Sequence, residues 1–239
     1  MAMDFDGTND YVDIPDDDSL TPGTLLTISA WIFIDAIDES FDSILNKWDQ
    51  TTAGDELLFG VNTSQNINFA WQTTGSVGTY GTPAFNDTAG TGTFSLSTWT
   101  HVAIVRNITQ LSFYIDGVLG GSTAAMDSNP FKNGPNSLRI GAQGGRGGVD
   151  RYLNGRIDDI RVYNRAFTDD EILSLVHERG RPLDLQGLVQ RWKLDEATPG
   201  AVASGVGTVK DEGPDQNDGT PTNSPVYISS ELTFRRRAG

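Results

Sequence analysis

Along this chain apolar and polar residues alternate far more often than apolar residues recur at helical spacing. Residues 27–34 (TISAWIFI) form a β-rich run, and residues 66–72 (NINFAWQ) put Ile67, Phe69 and Trp71 on one face. Residues 99–106 (WTHVAIVR) give another run, and residues 110–117 (QLSFYIDG) alternate before ending in an Asp-Gly turn signal. Residues 138–141 (LRIG) and 155–163 (GRIDDIRVY) complete the set. A period of two, broken by loops rich in Gly, Asn, Asp, Thr and Pro, predicts half-buried strands. Strands of this length and spacing pack as an antiparallel sandwich with one buried face per sheet.

One segment reads differently. Thr168 followed three residues later by Glu171 has the spacing of a capping box. Ile172, Leu173, Leu175 and Val176 form an apolar stripe, with Gly180 and Pro182 as stop signals. A short helix over about 169–178 is predicted, packed on the sandwich. Residues 75–93 are Gly/Thr-rich and aperiodic, and residues 120–136 and 143–150 are similar; these are long loops or loosely paired hairpins. Loops on a rigid β scaffold commonly carry binding function.

Composition narrows the function classes. The 239 residues carry a net charge of −15, and residues 1–46 contribute eleven acids and no Lys or Arg. The basic cluster is confined to Arg235, Arg236 and Arg237, which argues against a nucleic-acid surface, since phosphate neutralisation needs grouped bases. There is no cysteine, which excludes disulfides and thiolate chemistry in this chain. No apolar window is long enough for a membrane span. The opening MAMDFDGTND lacks the pattern of a secretory signal.

Several blocks, taken in order, resemble the laminin-G-like, concanavalin A-like lectin/glucanase superfamily. They are residues 3–15 (MDFDGTNDYVDIP), 26–32 (LTISAWI), 44–49 (ILNKWD), 99–103 (WTHVA) with 111–117 (LSFYIDG), and 155–166 (GRIDDIRVYNRA). The resemblance covers roughly residues 1–178. It implies an all-β fold: a two-sheet antiparallel jelly-roll β-sandwich with one short C-terminal helix. Residues 179–239 form a strand-containing C-terminal extension. Within it, residues 187–196 (GLVQRWKLDE) and 211–220 (DEGPDQNDGT) are similar to strands that in the family precede the first block. An isolated β fragment of this size cannot bury a core. Residues 184–234 are therefore expected to complete a sandwich in cis, to do so in trans by strand exchange in a homo-oligomer, or to dock the chain onto a larger assembly.

Candidate chemistry is sparse. Asp6, Asn9, Asp10 and Asp13 cluster near the start and offer hard oxygen ligands suited to Ca²⁺. The same residue types equally serve turns by bonding their own backbone. The resemblance implies a structural Ca²⁺ between this early loop and a late strand, with Asp6, Asn9 or Asp10, and Asp158 or Asp159 as its ligands. Sugar binding needs an aromatic face flanked by planar polar groups. Trp48 beside Lys47 and Asp49, Trp71 beside Gln72, and Tyr80 in a Gly/Thr loop are the candidates, whereas core packing is the ordinary role of Trp31, Trp71 and Trp99 in strand runs. Glycosidases need paired carboxylates across the scissile bond. The glucanases of the superfamily set them on one strand as alternating acids, but Asp158 and Asp159 are adjacent and face opposite sides of a strand.

The expectation is a non-catalytic recognition or adhesion module, carbohydrate-binding and calcium-supported, with a glycan or cell-surface polysaccharide as partner. Display on a virion surface, as a capsid decoration or fibre protein anchored by its C-terminal extension, fits the signal-free acidic chain. An extracellular setting is the alternative location. A purely structural decoration protein, or a secreted glycoside hydrolase or polysaccharide lyase, are the competing functions.

Overall fold

The computed structural model describes residues 1–38, 40–48, 56–75, 92–120, 124–145, 148–177 and 186–230. Its elements, in chain order, are β1 (Ala2–Asp6), β2 (Tyr11–Ile14), β3 (Leu25–Ala36), β4 (Phe41–Lys47), β5 (Leu57–Asn62), β6 (Ile67–Trp71), β7 (Thr100–Asn107), β8 (Gln110–Ile115), β9 (Val118–Leu119) and β10 (Ala124–Ala125). There follow β11 (Leu138–Ile140), β12 (Gln143–Gly145), β13 (Gly148–Asp150), β14 (Asn154–Tyr163), α1 (Asp169–His177), β15 (Leu188–Trp192), β16 (Thr220–Thr222) and β17 (Val226–Ile228).

Two antiparallel sheets face each other. The nine-stranded sheet runs β10-β8-β7-β3-β14-β1-β17, with β9 beside β8 and β15 beside β14. The six-stranded sheet runs β16-β2-β11-β4-β5-β6, and β12 and β13 form a separate hairpin. Inward residues of both sheets, among them Phe5, Ile32, Ile104 and Ile157 from one and Val12, Leu45, Phe59, Phe69 and Ile140 from the other, form one buried cluster. Their outward neighbours are polar where the sheet meets water, as the alternation along each strand requires.

The helix lies on the outer face of the nine-stranded sheet. Its start is the capping box read from the sequence: Glu171 N donates to Thr168 Oγ1 at 3.3 Å, and Thr168 N donates to Glu171 Oε2 at 2.8 Å. Ile172 and Leu175 are buried with Ala103, Val105, Tyr114, Tyr163 and Phe167.

Strand β14 organises the late part of the chain. On one flank it pairs along its length with β3. On the other, residues 154–157 pair with β1 and residues 160–163 pair with β15. A bulge separates the two halves, and Asp159 there adopts a φ of 51°. Such a backbone is costly for a residue with a Cβ, and ionic contacts hold it. Asp159 accepts from Arg161 at 3.0 and 2.5 Å and from Arg191 Nε at 2.8 Å. Arg191 is also the cross-strand partner of Arg161. Farther along, β17 adds to β1 and β16 adds to β2, so the C-terminal strands join both sheets within the same chain. Trp192, Leu194, Val209 and Tyr227 enter the same buried cluster as Met3 and Phe5.

Candidate ligand-binding face

The outer face of the six-stranded sheet carries a row of polar side chains fixed by strand register. Asp13 of β2 stands opposite Arg139 of β11, and Arg139 opposite Asn46 of β4. Each is flanked in sequence by core residues, namely Val12 and Ile14, Leu138 and Ile140, and Leu45. Alternation therefore turns all three outward. Neighbouring strands lie about 4.8 Å apart, so the row spans about 10 Å. Arg139 Nε sits 3.0 Å from Asp13 Oδ1, and both side chains are partly open to solvent.

Two phenols border the row. Tyr11 precedes Asp13 by two positions on the same face, and its ring centroid is 6.4 Å from that of Tyr152. Burial, then the neighbouring Tyr11 and Asp150, push the Tyr152 phenol up, against a smaller opposing effect of Arg139. The four groups are thus electrostatic neighbours. Next to the row lies a buried polar floor. Asn46 and Ser43 are fully buried and Gln143 is nearly so. Both amide atoms of Asn46, Oγ of Ser43 and Oε1 of Gln143 have no hydrogen-bond partner among the described residues. An unsatisfied buried polar group costs about 1–3 kcal/mol, so these atoms, on β4 and on the β12 strand that packs against it, need a reason.

The residues singled out in the sequence lie elsewhere or in other roles. Trp48 is on this outer face, but it is packed with Phe41, Leu58 and Ala70 and is 5% exposed. Trp71 points into the sandwich, stacked on Phe69 at 5.9 Å, and is 6% exposed. Neither indole presents an open face for a sugar. Asp49 and Tyr80 lie outside the described residues. For the cation, Asp6 Oδ1 accepts from the backbone of Thr8 at 2.8 Å and of Asn9 at 3.1 Å, a turn. Asp10 is buried nearby, and burial followed by the charge of Asp6 pushes its carboxyl up to about 6. The late-strand partners are not brought to them. Asp6 stands opposite Asn154, so Asp158 and Asp159 are four to five residues farther along β14, roughly 13 Å or more away. Asp159 is engaged by two arginines, and Asp158 Oδ2 lies 3.9 Å from the Met1 amino group. Among the described residues no group of three or more His, Asp or Glu side chains is placed to hold a metal ion.

Sequence reasoning passed over Asn46, Arg139 and Tyr11, although each sat in a strand block it had recognised. The outward direction of Tyr11 and Arg139 was legible from alternation, but that of Asn46 was not, because Ile44 and Leu45 before it both enter the core at a bulge. What was not legible is that β2, β11 and β4, distant in sequence, are neighbours in the sheet.

With this geometry in place, comparison with known proteins is direct. Residues 6–173 match the laminin G family model of the concanavalin A-like lectin/glucanases superfamily. The chain belongs to this superfamily. Among solved structures, this lectin-like domain is similar to a candidate carbohydrate-binding protein from Bacteroides ovatus ATCC 8483, with a TM-score of 0.66 and 17% identity over 96% of the chain. It spans 60% of that protein's length. It is also similar to the CBM40 of the Ruminococcus gnavus IT-sialidase, solved with α2,3-sialyllactose (TM-score 0.53, 14% identity, 74% of this chain and 98% of that one). A third is domain 4 of the Geobacillus stearothermophilus arabinanase AbnA, solved with arabinotriose (TM-score 0.51, 16% identity, 69% of this chain and 72% of that one). At such identities the likeness is one of fold. Among curated protein sequences none matches the chain.

Proposed function

We propose that the chain is a non-catalytic carbohydrate-binding module whose ligand lies across the outer face of the six-stranded sheet. The observation that carries this reading is the pair Asp13 and Arg139, register neighbours partly open to solvent on that face and bordered by Tyr11 and Tyr152. Arg139 and Asp13 supply a fork donor and a carboxylate acceptor at the spacing of neighbouring hydroxyls, and Tyr11 and Tyr152 supply aromatic surface for the C–H face of a ring. The similar structures whose names include carbohydrate binding support the ligand class.

A glycan-array screen of the full chain, repeated with Arg139→Ala, tests the proposal. Binding to a defined glycan that falls about tenfold or more in the variant is the expected result. Equal binding by both proteins would remove the outer-face site. Release of reducing sugar from any polysaccharide in a parallel assay would overturn the non-catalytic reading.

A further inference from the structure

The opposite side of the molecule carries a second arrangement of the same chemistry, built from different residues. On the outer face of the nine-stranded sheet, register places Asp4 of β1 opposite Arg156 of β14, and Arg156 opposite Phe33 of β3. Trp99 continues the row, since β7 begins at Thr100 opposite Ile32. The flanking residues Met3, Phe5, Ile32, Ile34 and Ile157 are all core, so this row faces outward. From Asp4 to Trp99 it spans three strand spacings, about 14 Å. A cleft of about 430 Å³ lies along it, closed at one end by Ile228 and Ser229. That volume is in the range of small-molecule sites.

The groups are held before any ligand arrives. The Arg156 guanidinium lies over the Phe33 ring, 4.4 Å from its centroid. Its Nε is 3.0 Å from Asp4 Oδ1, and its Nη2 is 3.7 Å from Asp35 Oδ2. Phe33 meets Trp99 edge to face, with centroids 5.7 Å apart and planes at 61°. Gly155 makes this possible: with φ at 151°, it lets β14 approach β3 so closely that a Cβ there would lie 2.2 Å from the Phe33 carbonyl oxygen. Both aromatic side chains are half-buried, as an aromatic platform with a solvent-facing side would be.

Charge selects the ligand class. Two carboxylates beside the cleft disfavour anions, and both are already engaged by the Arg156 guanidinium stacked on Phe33, which leaves them less free to hold a cation. A neutral polyhydroxylated ring, apolar on its C–H face and hydrogen-bonding at its rim, suits a row of Trp, Phe, Arg and Asp. We infer that the cleft formed by Trp99, Phe33, Arg156 and Asp4 is a second saccharide site for neutral sugars, on the face opposite the first. This rests on the carbohydrate-binding reading above and adds to it a second, independent contact surface.

Affinity electrophoresis of the full chain in native gels cast with soluble arabinan, xylan, laminarin, galactan or mannan tests it. Trp99→Ala removes the platform. Ser229→Trp, at an exposed position, fills the cleft without touching the core and serves if the first variant folds poorly. For at least one polysaccharide, both variants should lose about tenfold in apparent affinity while Arg139→Ala does not. Wild-type retardation of Ser229→Trp on every polysaccharide would overturn the second site. So would loss of all binding in Arg139→Ala alone, which would leave the first site standing. If the wild-type chain is retarded by none of them, both readings fall together.

Discussion

At the scale of single residues, the most informative side chain is Asn46. Its amide is fully buried and has no hydrogen-bond partner among the described residues, so an apolar replacement of similar size removes a cost. Asn46→Leu should raise unfolding stability by about 1 kcal/mol or more in a urea titration. A fall in stability would show that the amide is satisfied. His101 makes a second test. It is buried against Trp31, with ring centroids 5.4 Å apart, and burial followed by the charge of Arg161 lowers its imidazole to about 3. The unfolded chain would titrate it near 6.5, so below that pH the unfolded state binds the extra proton. Stability from this residue is present at pH 7 and is lost as pH falls, by about 2 kcal/mol at pH 5. Stability measured from pH 7 to pH 5 should fall more steeply in the wild type than in His101→Phe, and equal slopes would refute the assignment. Two tryptophans show how far single positions were readable. Trp48 looked exposed because Lys47 and Asp49 flank it, but Lys47 is itself fully buried, 2.6 Å from Glu56 and 2.9 Å from Asp16. A polar neighbour signals water only if it has no buried partner, and such partners come from other strands. Trp99 misled in the other direction: its strand run suggested core, yet it stands just before the strand begins and keeps an open side.

At the scale of elements, local chemistry was legible and long-range pairing was not. The capping box fixed the start of α1, and alternation assigned the faces of β6 and β8, whereas in β4 a bulge turns both Ile44 and Leu45 into the core. Nothing local tells a strand at 188–192 that its partner is the second half of β14. That pairing is held by Trp192 and by the charges around Asp159. Trp192 is fully buried, and its Nε1 donates to the Asn217 carbonyl at 3.0 Å. Trp192→Ala should cost about 3–5 kcal/mol, as for a large aromatic in a closed core. The Asp159 carboxylate accepts from both the Arg161 and the Arg191 guanidiniums, and burial, which pushes its carboxyl up, is outweighed by those two arginines, which hold it below the usual carboxylate range. Replacing it takes the carboxylate from buried Arg161 beside a strained bulge and leaves Arg191 with Glu212 alone. Asp159→Asn should therefore destabilise by about 3–5 kcal/mol, seen as a lower urea midpoint. A change within 0.5 kcal/mol would show that the bulge stands without it.

At the scale of the whole molecule, the sandwich turns its two polar rows away from each other. A protein with saccharide contacts on opposite faces bridges chains as a monomer. Mixing the wild type with a polysaccharide whose retardation falls in both Arg139→Ala and Ser229→Trp should produce turbidity at comparable molar ratios, and either variant should bind it more weakly without clouding the solution. Clear mixtures for the wild type would mean that the faces do not act together. The C-terminal strands have a consequence of another kind. Asp4 lies beside Val226, and Tyr11 beside Thr222, so each sheet joins the earliest residues to some of the latest. Contacts between remote positions are slow to form. On the ribosome, β1 and β2 leave the exit tunnel long before β16 and β17 exist, and they must wait with unpaired edges while the rest is made. The nascent chain is thus exposed to mispairing throughout its synthesis, and its acidic first segment, by self-repulsion, helps keep those waiting strands apart from one another on neighbouring ribosomes.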